Sequence, residues 1–196
     1  MLVMEMAHRV TNEYASAIGC LSLAATRTSD SAAKAALDHA MTRLIDFART
    51  HRALQQPSWT AETDLADYLQ QVGAALVRSI LRDRKVKLTI VSDAVSLEPD
   101  RCWRVGLIIS ELVTNAARHA FSSRGGAIRV EIAAADDLVH CRVSDDGDAP
   151  PWATPGRGSE IVEALAEELG GRIGWIFGER GTNVLLSFPN ASPRYA

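Results

Sequence analysis

Four side chains in one short stretch have the types and spacing to do chemistry together. Glu111, Asn115, Arg118 and His119 stand at i, i+4, i+7 and i+8, so on a helix they share one flank. Leu107, Ile108, Leu112, Ala116 and Ala120 recur at helical spacing and are expected to face a core on the other side. An acid, an amide, a cation and an imidazole in one row suit a nucleoside triphosphate with its metal. The amide oxygen of Asn115 can ligate Mg²⁺, a hard ion that takes oxygen ligands. Arg118 and His119 can neutralise phosphate charge. A solvated face laced with i,i+4 pairs is the plainer explanation of such a row, and the rest of the chain has to decide.

Three further features bear on that choice. His8 is followed four residues on by Asn12, so the two lie one turn apart on the same helix face. A neutral imidazole nitrogen there can attack a phosphoryl group in line, provided it is exposed. In VSDDGDAPP, Asp145 ends a strand-like run, and Gly147 allows close approach of the backbone to a flat ligand. Gly156 and Gly158 precede a helix start with Ser159 as its N-cap, where free amides and the helix dipole favour phosphate.

The elements that must position these residues follow from periodicity. Val3, Ala7, Val10, Tyr14, Ala17, Leu21 and Ala24 alternate spacings of four and three, and so do Leu37, Met41, Leu44, Ala48 and His51. Ala33, Ala40, Phe47 and Leu54 add a flanking stripe. The turn-forming TRTSDS (26–31) separates the two runs, and Pro57 is expected to end the second. Helices this apolar call for a partner, and a dimer forming a four-helix bundle is the natural solution. Downstream, 62–82 reads as a helix with Leu65, Leu69, Val72, Leu76 and Ile80 inward. VKLTIV (86–91), AIRVEIAA (127–134), LVHCRVSDDG (138–147), GRIGWIFG and TNVLLSF read as strands, and Pro99 fits the first turn of the helix that carries Asn115. Residues 159–169 read as a helix with Ile161, Val162, Leu165 and Leu169 inward. This order implies an α+β sandwich with one mixed sheet.

The motifs carry a resemblance. ELVTNAARHAF is similar to the N box of the Bergerat-type ATP-binding fold, shared by histidine kinases, gyrase-like ATPases and anti-sigma kinases. HRVTNEY resembles the H box, H-R-x-x-N, of the second HisKA subfamily of histidine kinases, kin of the HWE kinases. Asp145 and Gly147 match the D-x-G of the G1 box, GRGSEIVEALAEELGG resembles the G2 box and its helix, and Gly181-Thr182 matches the G-T between the last strands. The resemblance implies an N-terminal antiparallel helical hairpin (1–57) for dimerisation and histidine phosphotransfer, followed by a HATPase-type ATP-binding domain (58–196). It implies ATP and Mg²⁺ as cofactors, with Asn115 on the metal. Asn115, Arg118, His119, Asp145, Gly147, Gly156, Gly158 and Thr182 would bind the nucleotide. His8 would be the phosphoacceptor, with Asn12 and Glu111 catalytic beside it and Asn12 positioning a water for the reverse reaction. The expected partners are a second copy and a response-regulator receiver domain. Departures exist: Glu13 replaces a second Asn, Ala149 replaces the second glycine of G1, and the lid is only PPWATP (150–155). They suit an alternative, a histidine phosphotransferase or scaffold whose degenerate nucleotide domain binds no ATP.

Composition narrows the field. In 196 residues, 47% are hydrophobic, enough for a real core. A net charge of −3 gives no basic footprint for nucleic acid. No apolar run is long enough to span a bilayer. Cys20, Cys102 and Cys141 lack metal-ligand spacing and fit reduced thiols in a cytoplasmic protein. Seven residues precede His8, so sensing is expected elsewhere, in a longer chain or another protein.

Overall fold

Asp30 decides where the first helix gives way to the second. Its Oδ1 accepts from the amides of Ala32 (2.8 Å) and Ala33 (3.4 Å), satisfying two orphan donors of a helix start. In a computed structural model describing residues 2–54, 62–121, 125–148, 157–178 and 181–191, α1 spans Leu2–Arg27 and α2 spans Ser31–Ala53. The side chains of residues 2–12 and 157–158 lie outside the described set. The chain divides into two units, 1–55 and 56–196. Helix α2 closes on Leu54, whose amide bonds Thr50 O at 3.0 Å, ahead of Pro57, which lies outside the described residues.

The hairpin is antiparallel, with the Tyr14 ring meeting the His51 ring edge-on at 6.4 Å between centroids. Its inward stripe on α1 is Tyr14, Ile18, Leu21 and Ala25, whereas Ala17 and Ala24, expected inside, are exposed. The α2 residues Leu37, Met41, Leu44, Ala48 and His51 are half-buried, as are Ala33, Ala40, Phe47 and Leu54. Two helices can cover only one narrow seam, so the small flanking alanines of α1 are left open. Leu23 stays 52% exposed and Ile45 37%.

In the second unit, Thr63–Asp64 (β1) pairs antiparallel with Ser96–Leu97 (β3). Asp64 caps α3 (Leu65–Leu76) by accepting from Asp67 N at 3.1 Å. Leu65, Leu69, Val72 and Leu76 are buried as their spacing requires. The regular helix expected over 62–82 is corrected at both ends. Residues 63–64 are strand, and Val77–Leu81 closes as a π-helical turn, with Arg82 N on Val77 O at 3.0 Å. The wider turn takes one residue more than the α-helical repeat, so Leu81 is fully buried and Ile80 only half-buried.

The strands β2 (Val86–Ser92), β4 (Gly126–Ala135), β5 (Leu138–Asp145), β6 (Arg172–Gly178) and β7 (Gly181–Pro189) form one sheet in the order β2-β4-β5-β7-β6. The β2–β4 pair is parallel and the others antiparallel, so the sheet is mixed. Parallel neighbours need a crossover, supplied by α4 (Pro99–His119). Alternate residues such as Ile128, Val130, Val139, Cys141, Leu186 and Phe188 are buried under α3, α4 and α5 (Arg157–Glu168). On α5 the inward face is Val162, Leu165, Ala166 and Leu169, and Ile161, expected inside, is 60% exposed.

The π turn gives a sharp test. Leu81→Ala is expected to cost about 2–5 kcal/mol in denaturant unfolding, the usual range for a fully buried leucine, and Ile80→Ala less than half of that. A regular helix would reverse the order.

Candidate active site

The site is built on α4. Pro99 occupies its first turn, where a missing amide is harmless, and the apolar residues keep the 3.6-residue repeat. The far end is anchored by buried Arg101. Its guanidinium donates to Leu169 O (3.4 Å) and to Pro189 O, with the Phe188 ring 5.4 Å away. The inward face runs Val105, Ile108, Ile109, Leu112, Val113 and Ala117, with Ala120 buried just past the helix end. Leu107 and Ala116, expected in the core, are half-buried. The core stripe is turned by about one residue because α4 is covered by α3 and α5 as well as by the sheet.

The polar flank is arranged as its spacing requires. Asn115 Nδ2 donates to Glu111 Oε1 at 3.1 Å, both groups half-buried. With its nitrogen given to Glu111, the Asn115 amide keeps its carbonyl oxygen for another partner. Arg118 and His119 follow in the last turn and are exposed.

Asp145 ends β5 and is the focus of a second group. Its Oδ1 accepts from Gly147 N (3.0 Å) and Thr182 N (3.2 Å), and the Thr182 hydroxyl bonds it as well. Burial pushes its carboxyl above the ordinary range, against the opposing pull of these three donors, and nearby Asp146 adds to the rise. Gly181 has φ +108°, and a Cβ there would lie 1.9 Å from Asp145 O, so only glycine lets β7 start beside β5. Gly147 is pressed on the other side, where a Cβ would lie 2.3 Å from Ala120 O. Its closest demand is therefore the end of α4. The next amide, Asp148 N, bonds Ala120 O at 2.9 Å. This contact ties the loop after Asp145 to the end of α4, the helix that carries the polar flank.

Sequence reasoning named Ala120 only as a core residue and did not single out Asp146 or Asp148. Asp146 accepts from Ala127 N at 2.7 Å, pinning the loop to the start of β4. Each of these contacts links residues far apart in the chain, and an exposed Asp or a small Ala carries no local signal of it. Gly158 falls inside α5, and so does Ser159, which is therefore not an N-cap. Helix α5 begins at Arg157, before the serine is reached. Gly156, Ala149 and the segment 150–155 lie outside the described residues. His8 and Asn12 both lie on α1, but their side chains are outside the described set. Among the described residues no cluster of three His, Cys, Asp or Glu could hold a metal alone.

Residues 5–80 match the histidine kinase family model, and residues 74–188 match that of the histidine kinase-like ATPase domain. The chain belongs to the histidine kinase family. A curated relative is the sensor histidine kinase PdtaS of Mycobacterium tuberculosis, 29% identical over 95% of this chain but only 39% of its own length. Blue-light-activated histidine kinase 2 of Erythrobacter litoralis is 32% identical over 64% of this chain and 38% of that protein. The chain thus spans about two fifths of the length of these two relatives. Among solved structures, the histidine kinase domain of the E. litoralis EL346 blue-light kinase superposes with a TM-score of 0.61 at 23% identity. That match covers 86% of this chain and 92% of that one. A bacterial phosphotransferase gives 0.64 at 15% identity, over 94% and 93% of the two chains. These likenesses establish the histidine kinase fold, an N-terminal hairpin followed by a HATPase-type α+β domain. No helix among the described residues is long and apolar enough to cross a membrane.

Asp145→Asn tests the electrostatics of the carboxyl in protein to which no nucleotide has been added. Because the carboxyl's folded pKa is raised, the protonated form is favoured in the fold, and the ionised form costs stability as pH rises through that pKa. Asparagine can keep both amide bonds through Oδ1. The variant is expected to melt no lower than wild type at pH 7, with its advantage disappearing in acid below the unfolded carboxylate range. A lower melting temperature at pH 7 would contradict the burial account.

Proposed function

We propose that this chain is the core of a two-component histidine kinase that autophosphorylates on His8 and passes the phosphoryl group to a response-regulator aspartate. The reading is carried by one observation. The Glu111–Asn115 pair lies on α4, and the loop after Asp145, far away in sequence, is bonded to the C-terminal end of that same helix through Asp148 N and Ala120 O. In this reading a purine amine donates to Asp145, Arg118 and His119 meet the phosphates of ATP, and Gly156 and Gly158 take part in binding them. The residues fit Mg²⁺ bound in the usual way, by one protein oxygen together with phosphate oxygens, with Asn115 as that protein ligand. When bound, the ion neutralises charge on the phosphates.

The phosphoryl step needs little from the protein beyond placement. A neutral imidazole nitrogen of His8 attacks the γ-phosphorus, the bond to the bridging oxygen breaks, and ADP leaves. In this reading Glu111, bonded to Asn115, would act as the base that takes the imidazole proton. Asn12, one turn from His8, positions a water for dephosphorylation of the partner. The hairpin, residues 1–57, is the dimerisation and phosphotransfer domain, and 58–196 the ATP-binding domain. Exposed Leu23 and Ile45 and the open Ala17 and Ala24 support a second copy completing a four-helix bundle. We assign the protein to the cytoplasm. The second reading, a phosphotransferase that binds no ATP, is favoured by Ala149 in place of the G1 glycine. The Glu111–Asn115 bond and the three donors on Asp145 favour the first.

Incubation with labelled ATP and Mg²⁺ should give an acid-labile label lost in His8→Ala, whereas Asn12→Ala keeps the label and slows dephosphorylation of the partner receiver domain. Label persisting in His8→Ala sinks the assignment, with His39 next to test. By calorimetry, Asp145→Asn should weaken ATP about ten- to a hundredfold, the value of one bond to a charged group. Absence of ATP binding in wild type hands the case to the phosphotransferase reading. The hairpin reading is checked by sedimentation, with a dimer expected for wild type and monomer or unfolded chain for Leu44→Asp.

A further inference from the structure

The turn between the π-helical segment and β2 reaches the same end of α4. Arg84 Nη1 donates to Ala117 O at 3.0 Å. We propose that Arg84 is a positioning residue for the triphosphate, acting through the last turn of α4. The proposal rests on the nucleotide reading above.

Four observations carry it. First, Ala117 O belongs to the last four carbonyls of α4, which have no partner within the helix, so the guanidinium meets an orphan acceptor at the negative end of the helix dipole. Second, Ala117 is fully buried while the next two residues, Arg118 and His119, are exposed. A bond at residue 117 therefore fixes the turn from which both cations project. Third, Arg84 itself sits on a rigid base. Arg84 N bonds Leu81 O (3.1 Å), Lys85 N bonds Arg82 O (3.1 Å), and Lys85 has φ +55°. Lys85 O is pressed against Gly125, where a Cβ would lie only 2.3 Å away, and it accepts from Gly126 N at 3.4 Å. Fourth, the extra residue of the π turn rotates everything after it by roughly 100°, a fraction of a turn, relative to a regular helix. The turn carrying Arg84 starts from that rotated position. The last turn of α4 is thus held twice, at Ala120 O by Asp148 N and at Ala117 O by Arg84.

These two clamps serve different parts of a nucleotide. The Asp148–Ala120 contact belongs to the loop that holds Asp145, the purine acceptor. The Arg84–Ala117 bond supports only the residues that face phosphate. Loss of Arg84 should therefore divide the ligand, weakening phosphate recognition and sparing the purine end. A merely structural role predicts no such division.

The test compares ATP with adenosine on the 196-residue chain by NMR titration, in wild type, Arg84→Met, Arg84→Gln and Arg84→Lys. Arg84→Met should weaken ATP about tenfold, the value of one charge-assisted bond, while adenosine changes by less than about twofold. Arg84→Lys, which keeps a cationic donor, should recover ATP affinity to within about threefold of wild type. Melting curves report the fold, and if Arg84→Met does not fold, the Gln and Lys variants carry the comparison. Parallel losses for ATP and adenosine, no loss for ATP, or failure of Lys to improve on the uncharged variants overturns the role of Arg84. A wild type that binds neither ligand overturns the nucleotide reading itself, a different result from any of these.

Discussion

A single carboxylate oxygen ties the end of one strand to the start of another, and its neighbours in the chain fasten the same loop to a third strand and to a helix end. Asp145 Oδ1 takes the amide of Gly147, which turns the chain out of β5, and the amide of Thr182, which brings it into β7. The backbone at Gly181 then lies so close to Asp145 that no side chain fits between them. On the far side of the turn, Asp146 bonds the start of β4 and Asp148 bonds the end of α4. Remove the acceptor and the loop after β5 loses the fixed point from which the other contacts radiate. The long antiparallel ladders of β5 with β4 and β7 set the distance at which these ends meet, but they do not by themselves dictate how the loop turns.

Much of this was legible in the sequence, and the parts that were not share a physical reason. The flank of α4 could be read because Glu111, Asn115, Arg118 and His119 are placed by helix geometry alone. The strands could be read because one face is buried and the other is not, which forces alternation. The phase of a buried helix is different. Apolar residues surround α4 on more than one side, so periodicity left Leu107 and Ala116 indistinguishable from Ile109 and Ala117. The π turn was invisible for a related reason. VRSIL is apolar at both candidate positions, and only packing selects Leu81 over Ile80. Ser159 looked like a cap because local chemistry favours it there, but α5 had already begun at Arg157. Gly147 sits in a tight turn, but what presses on it is not a flat ligand. Gly147 yields to Ala120, a residue nearly thirty positions away that no local pattern could nominate.

The hairpin shows the limit from the other direction. Its heptads were plain, yet a heptad stripe does not say which partner covers which residue. One chain uses Tyr14, Ile18, Leu21 and Ala25, and leaves Ala17 and Ala24 in the open. Among the described residues of this unit only Ala25 and Thr50 are buried. Burial of apolar area is what offsets the entropy of ordering a helix, and a two-helix seam removes too little. The exposed apolar residues of this seam are therefore what supports the proposed second copy.

The cost of placing a carboxylate in the second unit can be followed in the same terms. Burial favours the protonated Asp145, and three donors favour the ionised one, with burial the larger effect. A residue kept only for stability would not be an acid here, since asparagine could accept the same two amides without a charge. An acid is worth its cost when some further donor is to be bound by the ionised form. The two amides and the Thr182 hydroxyl leave the carboxylate with acceptor capacity to spare, because a carboxylate has two oxygens and about four lone-pair sites. The geometry that rigidifies the loop thus also presents an unsaturated, partly desolvated acceptor. Such an acceptor discriminates strongly, because a ligand lacking a donor at that position leaves it dry and unpaired. Stability and recognition are in tension at one atom pair, and the glycines at 147 and 181 are what let the backbone close around it.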